Sequence, residues 1–291
     1  MRFSPLPSLT GRLFSAGLLL VLGLTACTDK ASSFTPAPLT PPAPPTLVTN
    51  EIARAYADYT DLVWGDEFDA GTLDGSRWKY DLGGGGWGNN ELETYTNSLD
   101  NVYLNGGSLY IKAVRSASGG YTSGRILTKG KKDFLYGRID IRAQVPKGKG
   151  VWPAIWMLGS DIDQNNWPKC GEIDIMELRG SKPKELLTTM HFQNTQGVRG
   201  QQGLTVVQPA DLSDAFHIYS IVRSKDQLRF YVDGQQYYSF GNGGASPNPF
   251  NNPFFVVLNV AIGGDFDGNP DASTTFPQQM VVDYVRQYQY K

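Results

Sequence analysis

The chain has 291 residues, a formal charge of −2 and 19% charged residues. So balanced a charge excludes the basic footprint that nucleic acid demands and is compatible with a neutral polymer. The two cysteines and two histidines are too few for a disulfide framework or a zinc cluster of ordinary spacing, so catalysis is expected to need no cofactor.

Arg2 and Arg12 flank an apolar run from Leu13 to Leu24, too short for a mature transmembrane helix, and residues 1–27 read as a targeting segment. Leu24-Thr25-Ala26-Cys27 resembles the bacterial lipoprotein cleavage box, in which the cysteine becomes the lipidated first residue. That resemblance implies a protein of the bacterial cell envelope, at the outer membrane or cell surface, touching membrane only through lipid on Cys27. A plain secretory peptide cut after Ala26 is the alternative and gives a secreted or periplasmic protein. With Cys27 lipidated, Cys170 is left as a lone thiol and reads as a small buried residue. Thr28 to Asn50 is rich in Pro, Thr, Ser and Ala, with an extended Thr40-Pro41-Pro42-Ala43-Pro44-Pro45 run. Residues 28–59 are therefore tether and lead-in, with Glu51 to Tyr59 forming at most a helical turn or two. One domain, residues 60–291, follows.

Strand signals fill that domain. Gly83 to Gly86 lack the Lys-Ser/Thr pair of a phosphate loop and read as a flexible cleft rim. Arg138-Ile139-Asp140-Ile141-Arg142-Ala143-Gln144-Val145 alternates polar and apolar, as a strand with one buried face does. Trp152, Ala154 and Trp156 share one parity, with Val151, Pro153, Ile155 and Met157 on the core side. The indoles are then free to stack on pyranose rings or to form a half-buried ladder. Pro153 is awkward inside a central strand, so the strand is expected to begin there. Leu228 to Val232, Asp233-Gly234 and Gln235 to Tyr238 read as a hairpin, and Phe254 to Ala261 as a strand buried on both sides. Helical periodicity is absent. The fold class is all-β, a two-sheet antiparallel β-sandwich of the jelly-roll kind.

One segment carries chemistry. Gly171-Glu172-Ile173-Asp174-Ile175-Met176-Glu177-Leu178 puts three acids into a β-prone apolar run. Glu172 and Asp174 share a face, and Glu177 has the wrong parity. One residue bulged out around Ile175-Met176 returns Glu177 to the acidic face and Leu178 to the core. Two glutamates with an aspartate between them suit glycoside hydrolysis, where one carboxyl protonates the leaving oxygen and the other attacks or activates water. Crowding raises the proton affinity of the most desolvated glutamate, which becomes the acid.

The segment resembles the active-site motif of glycoside hydrolase family sixteen in its laminarinase-like, bulged form. Trp64 to Asp69, Gly86 to Thr96, Tyr136-Gly137-Arg138, Pro146 to Leu158, Met190-His191-Phe192, Arg229 to Gly234, Leu258 to Gly264 and Val282 to Arg286 extend the likeness in the same order. The resemblance implies a concanavalin A-like jelly roll with a concave cleft and retaining, endo-acting hydrolysis of β-1,3-glucan by a monomer. It assigns Glu172 as nucleophile, Asp174 as its helper and Glu177 as acid/base, with Trp87, Asn89, Arg138, Trp152, Trp156 and His191 lining the sugar subsites. A structural calcium would take backbone oxygens of Glu67 and Gly107 and the Asp283 carboxylate. Mixed-linkage glucan or a galactan as substrate, and a non-catalytic sugar-binding sandwich, are the alternatives. Val222-Arg223, Leu178-Arg179 and Glu93 depart from the usual pattern, which leaves the three acids untouched and bears on the outer cleft. His217 reads as an ordinary structural residue.

Overall fold

The computed structural model describes residues 50–291. The targeting segment, Cys27 and the Pro-rich tether before Asn50 lie outside the described residues. In chain order the strands are β1 (Asp61–Asp66), β2 (Lys79–Tyr80), β3 (Glu93–Tyr95), β4 (Val102–Asn105), β5 (Ser108–Arg115), β6 (Tyr121–Ser123), β7 (Arg125–Leu127), β8 (Gly137–Gln144) and β9 (Val151–Gly159). They continue as β10 (Glu172–Leu178), β11 (Glu185–Gln193), β12 (Arg199–Val207), β13 (His217–Ser224), β14 (Gln227–Val232), β15 (Gln235–Phe240), β16 (Phe254–Ile262) and β17 (Gln278–Gln289). Two 3-10 turns, Tyr56–Asp58 and Pro249–Asn251, are the helical elements among these residues.

The strands form two sheets. One runs β12-β11-β10-β9-β16-β7-β2 and carries the cleft; the other, outer sheet runs β15-β14-β13-β8-β17-β5-β6-β3, with β1 on β17 and β4 on β5. All pairings are antiparallel except β3 with β6. Their facing sides supply the core, to which Ile139, Ile141 and Ala143 of β8 and Val151, Ile155 and Met157 of β9 contribute fully buried side chains. This is the alternation expected of strands with one face in a sandwich core. Every residue of β16 is buried, because its second face lies partly under Ile162 and Cys170.

The two-residue turn between β14 and β15 has positive φ at Asp233 (50°) and Gly234 (76°), which matches the right-handed twist of the hairpin strands. Pro153 sits within β9 and not at its start, opposite Val260 of β16. The carbonyl of Val151 accepts from the Gly180 N–H, so period-two alternation aims the missing Pro153 donor toward the β10 side, beyond the last pair there, Ala154 with Glu177. The ladder loses little.

The lead-in is not loose chain. Tyr59 is fully buried, the Asn50 amide donates to the Tyr290 carbonyl at 3.2 Å, and the Tyr56 ring packs tilted against Tyr231 of the outer sheet, centroids 4.7 Å apart. That covering explains why Asp140 is only 4% exposed on the polar face of β8. The lead-in from Asn50 to Tyr59 is therefore docked on the outer sheet.

Arg223, at 1% exposure, donates to the carbonyls of Phe134, Phe250 and Asn252 at 2.6, 3.1 and 2.8 Å and lies 4.6 Å from the Phe254 ring centroid. Burial pulls its proton affinity down to about 9. Three carbonyls replace the solvation it gives up, and it ties the loop before β16 to the sandwich.

Candidate active site

β10 carries the predicted bulge. Asp174 pairs with Trp156 and Met176 with Ile155 on the β9 side, while on the β11 side Asp174 pairs with Thr189 and Glu177 with Leu187. One residue is extra in β10. Ile173, Ile175, Met176 and Leu178 are all fully buried in the core, and Glu172, Asp174 and Glu177 line one cleft.

That cleft encloses about 760 Å³. Its floor is the outward face of β9, β10, β11 and β16, and its walls come from the loop 86–91, the loop 160–170 and the edge strand β12. Trp152 Nε1 donates to Glu177 Oε1 at 3.0 Å, and Trp167 Nε1 donates to Glu172 Oε2 at 2.9 Å. Each glutamate is thus oriented by an indole. The Trp152 ring stacks on Phe266 with centroids 4.6 Å apart. His191, directly opposite Glu172 on β11, has Nε2 at 3.6 Å from Glu172 Oε1 and 3.3 Å from Asp174 Oδ2.

All three acids hold protons more tightly than free carboxylates. Burial is the main cause for Glu172, pushed up to about 8, with the charge of Asp174 next and His191 opposing. Asp174 rises through burial, moderated by Arg199. Glu177 rises through burial and then the charges of both Asp174 and Glu172, with His191 opposing. Each ionised carboxylate makes its neighbours harder to ionise. Burial also lowers the proton affinity of His191, which favours its neutral form.

Of the residues expected to bind sugar, Trp87, Asn89, Trp152, Trp156 and His191 line this cleft. Arg138 does not. It opens β8 in the outer sheet, where its guanidinium lies between the Tyr56 and Tyr288 rings (4.2 and 4.4 Å), pairs with Asp140 at 3.1 Å and donates to the Tyr56 carbonyl. Arg125 on β7 is the arginine in the cleft, held between Trp87 at 4.5 Å and Trp156 at 4.9 Å and paired with Asp81 at 3.0 Å. Trp167, Arg199, Glu91 and Asn259 also line it and were not anticipated. Asn259 had a signal, being the single polar residue in the apolar run 254–261. It accepts from Trp156 Nε1 at 2.7 Å and donates to the Tyr95 hydroxyl at 3.0 Å. Cys170 is fully buried, and burial pushes its thiol up to about 12, so it is inert. His217 pairs with Asp233 at 2.7 Å at the end of the outer sheet.

The residues suggested for calcium meet at one part of the outer sheet. β1 pairs Asp66 with Val285, β5 pairs Leu109 with Val282, and Gly107 lies in the turn between β4 and β5. The Glu67 carboxylate is gripped by Arg286 at 2.8 and 2.7 Å, and Asp283 Oδ2 accepts from Arg142 at 2.7 Å. Backbone oxygens and the second Asp283 oxygen are the donors left, an all-oxygen set of the kind calcium takes.

A two-sheet β-sandwich with three crowded acids on the floor of an aromatic-walled cleft has the parts of a glycoside hydrolase. The comparisons agree. Residues 89–286 match the family model "Glycosyl hydrolases family 16", and the chain belongs to that family. It is 42% identical over 257 residues to glucan endo-1,3-beta-glucosidase A1 of Niallia circulans, an alignment covering 78% of this chain and only 38% of that longer relative. With the beta-glucanase of Rhodothermus marinus it shares 41% identity, covering 80% of this chain and 87% of that protein. Among solved structures, the laminarinase catalytic domain of Thermotoga maritima MSB8 superposes with a TM-score of 0.73 at 41% identity, covering 80% of this chain and 99% of that one.

Behind the cleft wall, Glu93 is 1% exposed. Its Oε2 accepts the Ile262 N–H at 2.6 Å, and its carboxyl is within hydrogen-bonding reach of Glu91. Glu91 in turn accepts from Asn89 at 2.9 Å and from Tyr95 at 3.3 Å. Burial followed by the neighbouring Glu91 raises Glu93 to about 8. Because the folded-state value lies above the ordinary one, this group stabilises the fold below the usual glutamate range and loses that contribution as pH rises toward about 8. The melting temperature of Glu93→Gln is therefore expected to fall less between pH 5 and 8.5 than that of the unmodified protein, the amide oxygen still accepting the Ile262 N–H. Parallel melting profiles of the two proteins would contradict this.

Proposed function

We propose that the protein is an endo-acting β-1,3-glucanase that cleaves laminarin-type chains with retention of configuration. The observation that carries the reading is three crowded acids on one cleft floor, with Glu177 bonded by Trp152 and Glu172 by Trp167 beside His191, and with the charges of both neighbouring acids raising Glu177. Glu177 accordingly keeps its proton and delivers it to the glycosidic oxygen, and Glu172, whose Oε2 is fixed by Trp167, attacks the anomeric carbon. The leaving sugar departs with Glu177's proton, and the ionised Glu177 then takes a proton from the water that releases the glycosyl-enzyme. Asp174 forms no bond to sugar. When ionised it raises the proton affinity of Glu177, and its Oδ2 lies 3.3 Å from His191 Nε2.

The identity of the relatives supports a β-1,3-linked substrate, and a cleft running across several strands suits attack within a polymer. A monomer suffices, since every cleft residue comes from one chain. Incubation with laminarin, mixed-linkage β-glucan and agarose should give a mixture of short oligosaccharides fastest from laminarin. Preference for mixed-linkage glucan or for a galactan would reassign the substrate, and binding without cleavage of any of them would leave a sugar-binding sandwich.

The cleavage box at Leu24 to Cys27 and the Pro-rich tether support a lipid-anchored enzyme on the bacterial cell envelope, held by apolar insertion of about 0.8 kcal/mol per buried methylene. Cys27→Ala should release the protein from membranes or block its processing; unchanged membrane fractionation and cleavage would remove the anchor. Calcium held by Glu67, Gly107 and Asp283 would stabilise the fold away from the chemistry, by about 2.7 kcal/mol at a hundredfold excess over Kd. A chelator should then lower the melting temperature, and an unmoved curve would exclude the site.

A further inference from the structure

His191 Nε2 lies 3.3 Å from Asp174 Oδ2 and 3.6 Å from Glu172 Oε1, yet Asp174 Oδ2 accepts no hydrogen bond although its side chain is only 5% exposed. The histidine is within reach of both acids, but no hydrogen bond satisfies the buried Asp174 oxygen. One nitrogen and two carboxylate oxygens lie within 4.8 Å of one another. A tetrahedral zinc ion with bonds of about 2.0–2.2 Å sets its ligand atoms about 3.3–3.5 Å apart, close to the two separations measured from His191.

The scaffold is preset. Glu172 and His191 are a cross-strand pair on β10 and β11, and Asp174 is the next residue of the same face, so all three ligands stand on sheet and not on loops. Trp167 holds the other oxygen of Glu172, which leaves Oε1 for the metal. The open cleft supplies a fourth position for water. Coordination through Nε2 requires the ring proton on Nδ1, where Arg199 now donates at 3.3 Å; that guanidinium also donates to Gln201 Oε1 at 3.0 Å and can turn there.

We infer that Glu172, Asp174 and His191 form an inhibitory binding site for a divalent transition-metal ion of the zinc class. Two carboxylates and one neutral imidazole match the charge and softness of zinc better than those of magnesium or calcium. The ion occupies the place of the anomeric carbon beside Glu172, so it competes with sugar; this clause rests on the proposed role of Glu172, whereas binding itself does not.

Calorimetric titration of zinc chloride into the whole metal-stripped protein tests binding without reference to activity. The expected result is a site whose affinity falls at least tenfold in both His191→Gln and Asp174→Asn and is retained in Glu177→Gln, each variant first matched to the parent by its melting curve. Absence of binding up to millimolar zinc, or affinity unchanged in both variants, overturns the site; a cation held at the Glu67–Asp283 edge would survive them. With zinc at ten times its Kd, kcat/KM on laminarin should fall about elevenfold with kcat unchanged. Inhibition that lowers kcat and leaves KM unchanged overturns the competitive part. A protein that binds zinc and does not cleave laminarin would refute the substrate reading and leave the metal site standing.

Discussion

A single extra residue in β10 is the constraint on which the active site depends. Without the bulge, a regular strand would put Glu177 into the sandwich core and Leu178 into the cleft. With it, four apolar side chains are fully buried while three acids share the opposite face. Burial of those side chains is worth roughly 1.5–3 kcal/mol each, so the same packing that stabilises the sandwich fixes the register of the acids. The chemistry is held in place by the core.

That register has an electrostatic consequence. Acids on one face, one or two positions apart, are desolvated by burial and crowd one another, and all three hold protons more tightly for it. Glu177, furthest along the strand, is capped by Trp152, while Glu172 is flanked by Trp167 and His191. The division of labour between acid and nucleophile thus follows from neighbours and not from the residue type, which is the same for both.

Much of this was legible from residue order. Three acids in an apolar run demanded a bulge, the parity of Trp152 and Trp156 put both indoles in the cleft, and Asp233-Gly234 marked its hairpin. Local sequence says less about which sheet a strand joins. Arg138 and Arg125 both sit at strand starts after a glycine, and only the long-range pairing of β8 with β13 and β17, against that of β7 with β16, separates the outer surface from the cleft. Trp167 and Arg199 were hidden for a related reason, since they reach the site from a loop and an edge strand whose course depends on tertiary packing. Glu93 could be seen as a departure, yet its contact with Glu91 required both the fold and its burial.

The stereochemistry of azide rescue tests the assignment of the three acids most directly. Glu172→Ala with azide and an activated β-glucoside should give the glycosyl azide of inverted configuration, because azide enters the space the nucleophile left. Glu177→Ala with azide should give the retained one, because azide intercepts the covalent intermediate. The reverse pattern, or an inverted product from the native enzyme as followed by proton NMR, would contradict the account.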